Sequence, residues 1–133
     1  MRDAMTIGRL AKAAGVNVET VRYYQRRGLI GEPSKPPGGQ RHYPAATVQR
    51  LGFIRRAQQL GFSLEEVKRL LELAGGDRCR EARAMAGEKH AVLGARIVEL
   101  TRMRRELQRH MDACGKRKRG EPCPFLEALM GAG

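Results

Sequence analysis

Residues 79–114 read CREARAMAGEKHAVLGARIVELTRMRRELQRHMDAC, and this proline-free run decides the architecture. A step of seven picks out Cys79, Ala86, Leu93, Leu100, Leu107 and Cys114, and the row four residues later holds Arg83, His90, Ile97, Arg104 and Met111. That is a heptad pattern, strong in its second half and diluted by Ala, His and Arg in its first. The two cysteines share one phase, so they occupy one helix face at opposite ends. At a rise of 1.5 Å per residue they stand roughly 50 Å apart, too far for one metal ion to touch both within a chain. In an antiparallel pair of such helices, Cys79 of one chain lies beside Cys114 of the other. The spacing therefore predicts a dimer with two thiol sites, each completed in trans. The alternative is a dimer helix whose buried cysteines are incidental. Gly87 and Gly94 lie inside the run, each costing roughly 1 kcal/mol relative to Ala; they are either points of close helix approach or weak points.

Working outward, the whole chain has 133 residues, enough for one small domain and an extension. Its 26 Lys and Arg against 14 Asp and Glu give a formal net charge of +12, which favours nucleic acid as a partner, though a basic surface also suits anionic membranes. There is no apolar run of membrane-spanning length and no signal-peptide apolar core, so the expected location is the cytoplasm. With few aromatics and no Trp, aliphatic side chains must build the core. Three cysteines without a C-x-x-C pair argue for free thiols or metal ligands rather than a disulfide framework.

Towards the N-terminus, residues 1–5 read as a frayed start. Thr6 is placed to cap a helix with Ile7, Leu10, Ala11 and Ala14 on one face. After a turn at Gly15-Val16, Asn17 is placed to cap a second helix that Gly28 ends, with Glu19 in its first turn favoured by the helix dipole. Val21 and Tyr24 face inward on it, while Glu19, Arg22, Tyr23 and Arg26 form the opposite stripe. Two short helices joined by a glycine turn, the second presenting Arg and Tyr, read as a helix-turn-helix rather than a merely solvated hairpin. Arg22 and Arg26 suit phosphates or guanine edges.

The prolines and glycines of residues 31–39 exclude a helix. Residues 29–30 and 40–43 are expected as two short strands closing over this loop, whose tip is basic through Lys35, Arg41 and His42; it reads as a wing on the DNA backbone, with a plain surface loop as the alternative. Pro44 is expected in the first turn of a third helix with Val48, Leu51, Ile54 and Leu60 inward and Arg50, Arg55 and Arg56 outward. Ser63 with Glu66 forms a capping box, and Phe62 with Val67 a hydrophobic staple, so a fourth helix starts there and runs to about Ala74. Gly75-Gly76 stop it, and Asp77 is the expected cap of the long helix, placing Cys79 in its first turn.

Beyond Cys114 a basic loop, residues 116–119, leads to Cys123 and then a short apolar helix. Pro124 fits its first position, making Cys123 the N-cap. Helix N-termini and nearby cations lower a thiol's pKa. In the antiparallel dimer Cys114 and Cys123 of one chain would join Cys79 of the other. Three thiolates prefer soft or borderline metals and fall short of the four ligands of a closed structural zinc site. The basic loop can balance the charge of such a site.

At this point a resemblance appears over nearly the whole chain. TIGRLAKAAGVNVETVRYYQRRGLI (6–30) resembles the helix-turn-helix of the MerR family of transcription regulators, GGQRHYP (38–44) its wing, and AQQLGFSLEEVKRLL (57–71) the second helical pair of its DNA-binding domain. Cys79, Cys114 and Cys123, with CPFLEAL (123–129), are similar to the family's mercury sensors, in which the matching cysteines bind Hg(II) in a trigonal site shared across the dimer. The family's lead, cadmium and zinc sensors can also retain a cysteine at the place of Cys79, so those ions are the alternative effectors.

The resemblance implies a mainly α fold in three parts: a winged helix-turn-helix DNA-binding domain (1–76), an antiparallel coiled-coil dimerisation helix (77–114), and a metal-binding loop with a short helix (115–133). It implies DNA contacts from Asn17, Val18, Thr20, Arg22, Tyr23 and Arg26, and from Gln40, Arg41, His42 and Tyr43 of the wing. It further implies a homodimer on double-stranded operator DNA between promoter elements spaced too far apart. Such a dimer bends the DNA and holds the promoter inactive, then untwists it on effector binding so that RNA polymerase meets both elements. A redox switch through Cys114 and Cys123, and an enzyme with a thiolate nucleophile, are the competing readings. The second lacks a His placed by spacing to act as base.

Overall fold

The computed structural model describes residues 5–131, and all regular structure among them is helical. Six helices follow in order: α1 (Ile7–Ala14), α2 (Val18–Arg26), α3 (Ala46–Gln59), α4 (Leu64–Leu73), α5 (Cys79–Gly115) and α6 (Pro124–Leu129). The chain separates into two compact units, Met1–Ala84 and Met85–Gly133.

In the first unit the helix starts are set by side chains that satisfy exposed amides. Thr6 accepts from the Arg9 N–H at 3.3 Å, and Asn17 from the Thr20 N–H at 2.8 Å. Ser63 and Glu66 form the reciprocal capping box, at 3.2 and 2.8 Å. Gly15 ends α1 in the left-handed region at φ 71°, which a β-carbon disfavours.

Helix α1 packs on α2 and α3, and α3 packs on α4. Leu10, Val21, Leu29, Leu51, Ile54 and Val67 are fully buried between them. Each such side chain contributes roughly 1.5–3 kcal/mol, so this small core carries the unit's stability. Ile7, Ala14, Val48 and Phe62 pack on it partly buried, matching the expected inward faces.

Several expectations are corrected. Residues 29–30 and 40–43 form no strands. Pro33, Pro36 and Pro37 have no N–H to offer a ladder, and the Tyr43 N–H donates instead to the Met5 carbonyl at 2.8 Å. That bond holds Met5, which is half-buried against the core rather than frayed; the rest of the expected frayed start lies outside the described residues. Leu29 and Ile30 go into the core as irregular chain.

Helix α3 begins at Ala46, two residues beyond Pro44. Leu60 follows its last turn and is 64% exposed, because Ala57 takes the inward position after Ile54. Arg55 is half-buried: its Nη1 donates to the Ala14 carbonyl at the end of α1, at 2.8 Å. Arg50 Nε likewise donates to the Leu29 carbonyl at 2.6 Å. Arg50 stays exposed all the same, as expected, and so does Arg56, so of the three arginines only Arg55 is drawn partly inward, onto the carbonyl that ends α1.

Asp77 does not cap α5, because the helix begins at Cys79 and Arg78 holds the preceding position, its carbonyl accepting from the Ala82 N–H at 3.1 Å. Arg69 joins α4 to the start of α5 through Glu81, at 3.0 Å. In the second unit α5 buries none of its side chains within the chain. Leu93, Ile97, Leu100, Leu107 and Met111 all stand exposed along it. A β-carbon at Gly87 or Gly94 would meet nothing within 4 Å in this chain.

Candidate DNA interface and metal centre

The first candidate surface is the outer face of α2 with the adjoining loop. Asn17 Oδ1 accepts from both the Thr20 N–H and the Thr20 hydroxyl, at 2.8 and 2.9 Å, so these two side chains fasten the start of the helix. Arg22 Nη1 pairs with Glu19 at 2.9 Å. Tyr23 is 41% exposed, with the guanidinium groups of Arg26 and Arg27 at 5.9 and 6.0 Å from its ring centroid. These are cation–π contacts that hold two charges on one face of the helix. Arg27 is a member of this cluster that the helical spacing did not single out.

Gln40, Arg41 and His42 are exposed in the wing. Arg41 Nε donates to the Pro33 carbonyl at 2.9 Å and lies 3.3 Å from Glu32. Tyr43 and Val18, both expected as contact residues, are wholly or partly buried in the single chain. Tyr43 is only 5% exposed and its hydroxyl donates to Gln25 Oε1, so its ring is part of the core. Burial, with Glu32 adding to it, pushes the Tyr43 phenol above its ordinary range against the opposing pull of Arg41 and Arg22. Val18 is half-buried and packs against the same core. An alternation of polar and aromatic residues in the wing does not reveal which ring turns inward.

A cleft of about 370 Å³ opens between the start of α1, α2 and the wing, lined in part by Arg22, Gln25, Glu32, Lys35, Arg41 and Tyr43. Its cationic walls suit an anion carried on a larger ligand.

The second candidate is the end of α5. Cys114 and Cys123 place their sulfurs 3.4 Å apart, half-buried. The loop between them is closed by Arg117 Nη1 donating to the Glu121 carbonyl at 2.5 Å and the Lys118 N–H donating to Glu121 Oε2 at 3.3 Å, with Gly120 at φ 90°. Cys123 takes the N-cap position of α6 and Pro124 the first turn. The His110 and Phe125 rings meet at 5.2 Å one turn before Cys114.

The Cys123 thiol is pulled below its ordinary range. The Leu126 N–H is the main cause, followed by the hydrogen bond with Cys114, the Phe125 N–H and the charge of Arg117. Two sulfurs bonded at about 2.3 Å to one ion stand no more than about 4.6 Å apart, and the observed pair lies inside that limit. The donor chemistry fits a soft metal ion. Cys79 is the first residue of α5 and is exposed. No group of three or more His, Cys, Asp or Glu side chains able to hold an ion occurs among the described residues of the single chain.

Capped short helices with outward cations, and a thiol pair closed by a basic loop, define a helix-turn-helix protein equipped for soft metals. Comparisons with known proteins bear directly on that class. The family described as MerR HTH family regulatory protein matches residues 5–74, and that described as MerR, DNA binding matches residues 48–110. The mercuric resistance operon regulatory protein of Shigella flexneri is 46% identical over 129 residues, spanning 97% of this chain and 90% of the relative.

Among solved structures, a transcription regulator from Ralstonia metallidurans in complex with lead(II) superposes with a TM-score of 0.81 at 34% identity, covering 94% of this chain and 98% of that one. The dual function regulator MerR of Bacillus megaterium, in complex with mercury(II), gives 0.71 at 37% identity, covering 95% and 98%. The chain belongs to the MerR family of transcription regulators, which are DNA-binding proteins and not enzymes.

Proposed function

We propose that this chain is a Hg(II)-responsive regulator of a mercury-resistance promoter, acting in the cytoplasm as a homodimer on operator DNA. The observation that carries the reading is the Cys114–Cys123 pair, two thiols 3.4 Å apart with the third cysteine at the far end of the same helix. The name of the Shigella flexneri relative and the mercury(II) ion in the Bacillus megaterium structure support it.

The reading keeps three functional parts, residues 1–76 for DNA, 77–114 for dimerisation and 115–133 for metal. Leu93, Leu100 and Leu107, exposed within one chain, supply the dimer face and bring Cys79 of the partner to Cys114 and Cys123. Bound Hg(II) supplies strong bonds to sulfur that tie the two chains together. Arg22, Tyr23 and Arg26 grip the operator with Arg41 of the wing. Effector binding favours the dimer conformation that realigns the promoter for RNA polymerase.

A lead, cadmium or zinc effector is the second reading, favoured by the lead(II)-bound structure as the better superposition of the two. Competition among Hg, Pb, Cd and Zn on the reduced protein decides between the two.

The shared site is tested by mixing. Cys79→Ala homodimers and Cys114→Ala/Cys123→Ala homodimers are each expected to bind DNA but not to respond to Hg(II). Refolded together, mixed dimers assemble one complete three-cysteine site, so tight Hg(II) binding returns at up to one ion per mixed dimer. A mixture that binds no better than its separate components overturns the trans arrangement.

A further inference from the structure

A carboxylate of the loop after α2 sits against the outward arginines. Glu32, in the loop after α2, lies 3.3 Å from Arg41 Nε. It also lines, together with Arg22, Gln25 and Arg26, a second hollow beside the main cleft. Glu32 thus pairs with Arg41 and shares a hollow with Arg22 and Arg26, and none of the three arginines is buried.

Arg41 Nε donates its one hydrogen to the Pro33 carbonyl at 2.9 Å, and the Glu32 carboxylate is the ion-pair partner of the same guanidinium. The carbonyl is a fixed backbone partner. The carboxylate is on a side chain more than half exposed and free to turn away. Carboxylate and phosphate oxygens meet guanidinium groups with the same geometry.

Resting on the DNA-binding reading, we propose that Glu32 is an internal phosphate surrogate: it holds Arg41 in the free protein, and docking exchanges Arg41 from Glu32 to a DNA phosphate. Arg41 keeps its Pro33 bond throughout, so the wing stays in place while its charge changes partner. Glu32 then works as a brake on DNA of any sequence, because each docking event must displace it. Glu19 stands in the same relation to Arg22, at 2.9 Å, but on the helix itself and away from the cleft between helix and wing.

The test is a double-mutant cycle on the reduced full-length protein. The probe is a labelled mixed-sequence duplex of about 30 base pairs at about 50 mM KCl, where phosphate contacts dominate. Glu32→Gln preserves shape and removes the charge; it is expected to bind about three-fold more tightly, the scale of an exposed ion pair. Arg41→Ala is expected to bind more weakly than wild type. In the Arg41→Ala background the gain from Glu32→Gln should disappear.

A Glu32→Gln protein that binds no more tightly than wild type overturns the proposal. So does a gain that persists undiminished without Arg41, since that is long-range charge alone. A wild-type protein that fails to bind the duplex at all removes the DNA reading itself, and this proposal with it.

Discussion

The two units of the chain solve the burial problem differently. In residues 1–84 four short helices close a core around Leu10, Val21, Leu51, Ile54 and Val67, and side chains cap three of the helix starts. In residues 85–133 one long helix carries as many large apolar side chains and buries none of them within the chain. A short helix amortises its apolar face by folding back on its neighbours, whereas a single long helix has no neighbour in its own sequence to cover it. The first unit is a closed solution, and the second leaves its apolar stripe uncovered within the chain.

The largest expected effect breaks the second unit alone. Leu100→Asp removes a side chain worth roughly 1.5–3 kcal/mol from each half of the dimer and adds two charges to its seam. Sedimentation at micromolar concentration should show a dimer for wild type and a monomer for the variant. A wild type that already sediments as a monomer would sink both the dimer and the shared site.

Leu51→Ala tests the converse. Leu51 is fully buried, so the cavity should cost roughly 2–5 kcal/mol of the first unit's stability in urea unfolding. Sedimentation below the unfolding transition should still show the dimer. Simultaneous loss of dimer and core in either variant would mean that the units are not energetically separable.

A smaller effect sharpens what the first unit presents outward. Arg22→Ala should weaken duplex binding by about ten-fold and lower the salt slope by about one, as expected for one lost phosphate contact. Binding at wild-type strength would remove α2 from the interface. Smallest of all, Ser63→Ala should cost about 1 kcal/mol by opening the capping box at α4, with no change in sedimentation. An unchanged melting curve would show that tertiary packing alone holds that helix start.

Much of this was legible because its causes are local. Thr6, Asn17 and the Ser63/Glu66 pair name helix starts, since each satisfies amides within three residues of itself. The heptads of residues 79–114 name a helix with one apolar stripe whatever covers it. Pro124 after Cys123 marks the start of α6 for the same reason. The errors fell where a side chain had several distant partners to choose from. Arg55 looked like surface charge until the end of α1 came within reach, 41 residues away in sequence. Tyr43, expected at the DNA, has its ring in the core and its hydroxyl on Gln25, a placement that its neighbours in sequence do not show.

By itself, then, the sequence determined the helices, the caps of α1, α2 and α4, the basic composition and the three thiols, because periodicity, capping chemistry and charge are properties of neighbouring residues. Only the tertiary structure decided which cations reach backbone carbonyls and which do not. Arg50 and Arg55 donate to backbone carbonyls, Arg55 half-buried, while Arg22 and Arg26 stay on the outer face of α2. It also decided that a nine-residue separation closes to a 3.4 Å sulfur pair, and that Glu32 pairs with Arg41 of the wing and lines a hollow with arginines of α2. Those juxtapositions depend on how loops close over a packed core, a sum of many weak distant contacts that no local pattern encodes.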